Sequence, residues 1–205
     1  LIAGMECPMD GSVSLNGSRI AEVGQMAGTS SWIDMGVCTS GIQPVILKAK
    51  PDFDDTLSVI DRIVQVGLDT IYKCNRVRKD DEFREEKDEE AVTTELCSTL
   101  AEDFASLLTL SDAQCSSVPS ELSPSAEYLF GIACGCMMSV APSIISILQS
   151  KKEEDPVDIH YPILLLDELF DTEASSTVEK CSTGILNFIH AGGVMISATH
   201  RPTYF

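Results

Sequence analysis

The sequence predicts an α/β fold: a mainly parallel sheet, a small antiparallel β-hairpin region and a helical subdomain. Three observations predict it. The closing segment reads as a short apolar strand over 163–166, a helix over 176–190 ended by Gly192, and a second, buried strand over 194–199, "VMISAT". A helix linking two strands of one sheet is a crossover, which makes them parallel. Near the other end, "SVSLNGSRIAEV" has two alternating runs around Asn16-Gly17, a pair suited to a two-residue hairpin turn because both central residues need positive φ. Between these regions, apolar residues recur every three or four positions over two long stretches, the period of an amphipathic helix.

In chain order, residues 12–23 form the hairpin, and a loop rich in Gly, Ser and Thr follows over 24–41. Residues 43–49 are read as another strand. Residues 55–72 read as a helix through Leu57, Ile60, Ile63, Val64, Leu68 and Ile71. The charge run "KDDEFREEKDEE" over 79–90 reads as a solvated loop or helix face. Residues 91–110 are again helical, with Val92, Leu96, Leu100, Phe104, Leu107 and Leu108 on one side. Residues 111–124 are a polar connector. Ser123-Pro124 looks like a helix start, with serine as N-cap and proline at the first helical position. That helix is expected to end near Met138, and "KKEEDPVD" over 151–158 reads as a polar insertion. The domain reading is therefore 1–50 for the β-rich part, 51–138 for the helical subdomain, 139–161 for an insertion and 162–205 for the rest of the core.

Composition narrows the function. The 205 residues suffice for a substantial core, and the formal charge of −18 argues against direct nucleic-acid binding, which needs a basic patch. The eight cysteines are scattered without a Cys-x-x-Cys pair, which favours reduced buried thiols in a cytoplasmic protein over disulfides or zinc. Residues 128–150 carry no charge, "YLFGIACGCMMSVAPSIISILQS". The run is long enough to cross a bilayer, but its glycines, Pro142 and its serine and cysteine content favour a buried core helix. The chain begins inside an apolar pattern without a methionine and is read as a fragment of a longer protein.

The chemistry concentrates in "PILLLDELFDTE". A strand apolar enough to be buried on both faces ends on Asp167 and Glu168, which are costly to bury. In a parallel sheet ligands sit at the carboxyl ends of strands, and His200 follows the other strand of the crossover. If the two strands are near neighbours, carboxylates and an imidazole share one edge. The alternative reading is a polar strand exit into water.

These residues resemble the nucleotide-binding domain of the ABC ATPase family. "ILLLDE" is similar to its Walker B strand, and "ISATHRP" to its switch-histidine strand. "LIAGMECPMDGSVSLNGSRIAEVGQ" resembles the segment after the phosphate loop, with Gln25 in the place of the Q-loop glutamine. "LSPSAEYLFGIACG" occupies the place of the signature motif. The resemblance touches roughly half of the chain and implies a P-loop NTPase-like fold, ATP and Mg²⁺ as ligands, and nucleotide-dependent pairing with a second nucleotide-binding domain. It implies Glu168 and His200 as catalytic residues, Asp167 and Gln25 as cation contacts, and Ser123 and Ser125 as nucleotide contacts across the dimer.

The sequence also departs from the family. No G-x-x-x-x-G-K-[ST] loop occurs in it, and the family layout would put one before Leu1. The family's "LSGGQ" reads "LSPSA", so Pro124 has no amide to offer a phosphate. Ala174 aligns most simply with the aspartate after Walker B, with Glu173 the nearest acid. Whether the domain turns over ATP or is a degenerate regulatory module of the same fold is open at this level.

Overall fold

The computed structural model describes residues 12–15, 18–22, 45–47, 56–77, 87–149 and 161–200. Gln25, most of the charge run and the "KKEEDPVD" segment lie outside the described residues.

β1 (Ser12–Leu15) and β2 (Ser18–Glu22) pair antiparallel, with Leu15 opposite Ser18 and an irregularity between Val13 and Ser14. A second sheet holds β3 (Val45–Leu47), β4 (Ile163–Asp167) and β5 (Val194–Ala198) in the order β3-β4-β5, all parallel. The strands on either side of the closing helix are thus direct neighbours. Register places Val45, Leu164 and Met195 side by side, then Leu47, Leu166 and Ser197. Val194 and Ile196 point the other way along β5 and are 43% and 44% exposed. β5 is therefore not the buried strand that its apolar sequence suggests: helices would usually bury both faces of a parallel sheet, but four of the five β5 residues are exposed.

A long helix, Pro124–Gln149, packs on the face of Leu47 and Leu164, with Gly135 against both side chains, and the other long helices pack on it in turn. α1 (Val59–Val77) starts four residues later than the apolar pattern suggests, because the Asp61 amide donates to Ser58 Oγ (3.2 Å), making Ser58 the cap. α2 (Lys87–Leu107) starts earlier than residue 91, inside the charge run, where no apolar residue marks the first turn. Its Thr94, Ser98 and Thr99 hydroxyls donate to carbonyls four residues back, which satisfies them within the helix. The expected polar connector contains a short helix, α3 (Asp112–Ser116), closed by a capping box between Ser111 and Gln114, and a 3₁₀ turn over Pro119–Glu121.

The largest correction concerns α4 (Pro124–Gln149). It does not stop near Met138 but continues through Pro142, so the first part of the expected 139–161 insertion is helix. An interior proline removes one backbone hydrogen bond and commonly ends a helix. Here burial outweighs it. Ile132, Ala133, Cys136, Met137 and Ala141 are fully buried, and α1, α2, the sheet and α5 (Ser175–His190) all pack against α4. A helix enclosed on every side has no face for a charge, which explains the uncharged run. Among the described residues, no helix is long and apolar enough to cross a membrane. Ser139, itself buried, accepts from the Ile163 amide (3.0 Å) and fixes the start of β4 on α4.

Burial also sets the state of the thiols. The six described cysteines are free. Burial pushes Cys97 up to about 11, raises Cys134 and Cys136 further, and, helped by the Glu173 charge, takes Cys181 to about 11. These thiols are protonated and poor nucleophiles.

α5 approaches the end of α2 closely. A Cβ added at Gly184 would lie 2.6 Å from the Leu108 carbonyl oxygen, and Asn187 Nδ2 donates to the Leu107 carbonyl (3.3 Å). Gly→Ala in a helix interior stabilises by about 1 kcal/mol, whereas overpacking against rigid neighbours costs about 1–3 kcal/mol. Backbone cannot swing aside, so Gly184→Ala should be net destabilising by about 1 kcal/mol in denaturant unfolding. At Gly67 the added Cβ would meet the Met137 thioether (2.8 Å), a flexible side chain, so Gly67→Ala should cost less than Gly184→Ala.

Candidate functional site

The site forms where β4 and β5 end together. Asp167 is the last residue of β4 and pairs with Ala198. Glu168 adopts φ 55°, the left-handed region that non-glycine residues seldom occupy. Its amide donates to the Ala198 carbonyl (2.8 Å), so the ladder continues one step past the strand while the backbone turns away. Two tight turns follow: the Asp171 amide donates to the Glu168 carbonyl (3.1 Å), and the Glu173 amide to the Phe170 carbonyl (3.1 Å). Leu169 and Phe170 are buried and anchor this loop to the core.

This geometry brings Glu168 and His200 together. His200 Nε2 lies 2.9 Å from Glu168 Oε1, with the two side chains 83% and 57% exposed. Asp171, absent from the sequence-level candidates, joins them. Its Oδ1 accepts from the Thr199 hydroxyl, and its Oδ2 accepts from the His200 amide (2.7 Å). One ligand atom each from Glu168, Asp171 and His200 falls within 4.8 Å of the others. Two carboxylates and an imidazole are a donor set that could hold a divalent ion, although exposed acidic groups also gather without one. Asp167, half-buried and one residue away, is outside that trio.

Ser123 and Ser125 sit elsewhere. Ser123 Oγ accepts from the Ala126 amide (3.4 Å) and lies 3.3 Å from Ser125 Oγ, an N-cap arrangement at the start of α4. Their side-chain hydrogen bonds are local and do not reach Glu168, Asp171 or His200. What links this helix start to the site loop is Tyr128. Its hydroxyl donates to Glu173 Oε1 (2.8 Å), and its ring stacks at a tilt on Phe170, centroids 5.0 Å apart. Burial raises the Tyr128 pKa, reinforced by the Glu173 bond and charge, so the phenol stays a donor. Cys181 Sγ also contacts the Ser125 carbonyl (3.4 Å).

Ala174 is the N-cap of α5, and no side chain caps this end. A hydroxyl here could accept an unsatisfied first-turn amide, so Ala174→Ser should stabilise the fold by about 1 kcal/mol, read as a raised unfolding midpoint.

The sequence puts the acids and His200 on one edge only if their strands are near neighbours, and the order β3-β4-β5 meets that condition. Sequence reasoning missed Asp171 and Thr199; the only signal was the density of acids in "DELFDTE", which does not say which one turns back. No protein-family model matches the chain, and a search of the curated proteins finds no match.

Proposed function

We propose that this chain is the part of an ABC-type ATPase domain that carries out ATP hydrolysis, with a P-loop NTPase-like core. The observation that carries the reading is the 2.9 Å contact between Glu168 and His200 at the carboxyl ends of adjacent parallel strands. Strand-end carboxylates beside an imidazole suit the attack of water on a phosphoryl group, where catalysis is mostly positioning and charge stabilisation. Glu168 orients the attacking water and accepts its proton. His200 Nε2 contacts the Glu168 carboxylate, and because that exposed contact exchanges, the imidazole can also be offered to the γ-phosphate. Asp167 and Gln25 would hold Mg²⁺, whose preference for oxygen donors they fit, and the ion would neutralise charge on the phosphates. Ser123 and Ser125 contact nucleotide held by a second nucleotide-binding domain, so ATP favours a dimer and hydrolysis releases it. The left-handed Glu168 backbone also fits a functional position, since such a conformation costs about 1–3 kcal/mol and persists where surrounding bonds impose it. A cytoplasmic location fits the buried free thiols, and the acidic balance fits partners other than nucleic acid.

The second reading is a binding or regulatory module that keeps the fold without turnover. Pro124 opens α4, at the position where the family presents a glycine amide, and Ala174 leaves α5 uncapped. The first weakens a cross-dimer nucleotide contact, because proline has no amide to offer; the second leaves the place of the family's aspartate without a carboxylate.

The test is Mg²⁺-dependent phosphate release from ATP by the intact protein, with sedimentation in the presence and absence of nucleotide. Turnover with an ATP-dependent dimer supports the ATPase; nucleotide binding without turnover supports the module; no binding defeats both.

A further inference from the structure

We propose that Asp171 is a positioning residue for the Glu168–His200 pair, an inference that rests on the ATPase reading. His200 lies past the last residue of β5, and its side chain is 83% exposed, so packing does little to hold the imidazole. An exposed carboxylate–imidazole contact is weak and exchanges freely among rotamers. Backbone position therefore decides whether His200 meets Glu168. Asp171 supplies that position. One of its oxygens takes the Thr199 hydroxyl and the other takes the His200 amide at 2.7 Å. Asp171 is in turn tied to Glu168, because its own amide donates to the Glu168 carbonyl (3.1 Å). The Glu168 amide closes the ring on the Ala198 carbonyl (2.8 Å). Base, clamp and imidazole are thus held by a single short loop against one strand end.

The chemistry of the clamp makes it testable apart from charge. A carboxylate accepts both bonds. Asparagine can accept from the His200 amide with its carbonyl and donate to the Thr199 hydroxyl oxygen with its NH₂, so it keeps the geometry and loses the charge. Alanine keeps neither.

In the intact protein, Asp171→Ala should lower kcat for ATP by about 10–100-fold, the order expected when a reacting group is misplaced by about an ångström. KM should move less than about threefold, because among the proposed nucleotide contacts the clamp positions only His200. Asp171→Asn should recover most of the loss. Adding His200→Ala to Asp171→Ala should cost little more, since both remove the same arrangement. Independently of turnover, hydrogen exchange at the His200 amide should speed up about tenfold or more in Asp171→Ala and stay slow in Asp171→Asn.

Turnover by Asp171→Ala at the wild-type rate would overturn this inference and leave the ATPase reading intact. An asparagine variant as impaired as the alanine one would also overturn it, because carboxylate charge on a cation would then be what matters. Fully additive losses with His200→Ala, or unchanged His200 exchange, would show that Asp171 does not act through His200. A wild-type protein that turns over no ATP fails the ATPase reading itself and this role with it, while the exchange measurement still reports whether the clamp forms.

Discussion

Replacing Glu168 by glutamine should lower ATP turnover by about 10²–10⁴-fold, the usual contribution of a positioned general base, with nucleotide binding retained. The change is nearly isosteric. Glutamine can still present a carbonyl oxygen to His200 Nε2, which lies 2.9 Å from Glu168 Oε1, so the pair keeps its geometry. The backbone amide of residue 168 still donates to the Ala198 carbonyl, and the left-handed φ is unaffected by the swap of oxygen for NH₂. What disappears is the ability to take a proton from water. The corresponding loss is roughly 3–5 kcal/mol of barrier lowering, with no matching loss of stability, because both side chains stand more than half exposed. Phosphate-release kinetics measure the first quantity and thermal unfolding the second. If Glu168 is only a polar exit from β4, the substitution leaves turnover unchanged, since surface replacements away from special features have small effects. A variant that binds ATP without cleaving it should also accumulate as the ATP-bound dimer in sedimentation.

The sheet around this residue was readable in the sequence for a plain reason. "ILLLD" and "VMISA" are too short and too apolar for surface helices, and the helix between them forces them parallel; the same apolarity overstates the burial of the second, since β4 is mostly buried but β5 is mostly exposed. Their adjacency, and so the meeting of Glu168 with His200, follows from the strand order β3-β4-β5. Helix limits were less readable, because periodicity reports burial and not backbone. α2 begins among charged residues with no apolar face to mark it, and α4 passes through Pro142 because enclosure by other elements outweighs one lost hydrogen bond. The clamp at Asp171 was out of reach for a different reason. It depends on a left-handed glutamate, a conformation that sequence preference argues against, and on a turn that selects one of several neighbouring acids. Tyr128 and Glu173 illustrate the same limit: their bond joins positions far apart in the chain, and neither residue's neighbourhood announces it.

The largest stability loss should come from Phe188→Ala. Phe188 is 1% exposed and sits in the last turns of α5, where the chain reverses into β5. The reversal wraps the ring. The Gly193 amide donates to the Phe188 carbonyl (3.0 Å), and Gly192 takes φ 101°, a conformation suited to glycine. A Cβ added at Gly193 would fall 2.2 Å from Phe188 Cζ, so backbone lies directly against the far end of the ring. Removing the ring leaves a cavity walled partly by backbone, which collapses poorly, and the expected cost is about 3–5 kcal/mol. For a domain of this size that corresponds to a fall in Tm of about 6–20 °C. Phe188→Leu should cost clearly less, because it fills part of the space. The two positions should also be strongly coupled. Gly193→Ala should destabilise the wild-type protein by about 1–3 kcal/mol through overpacking, yet be close to neutral in the Phe188→Ala background, where the ring it would strike is gone. Additive losses in this double-mutant cycle would mean that the ring and the Gly193 backbone do not share the packing that closes α5 onto the start of β5.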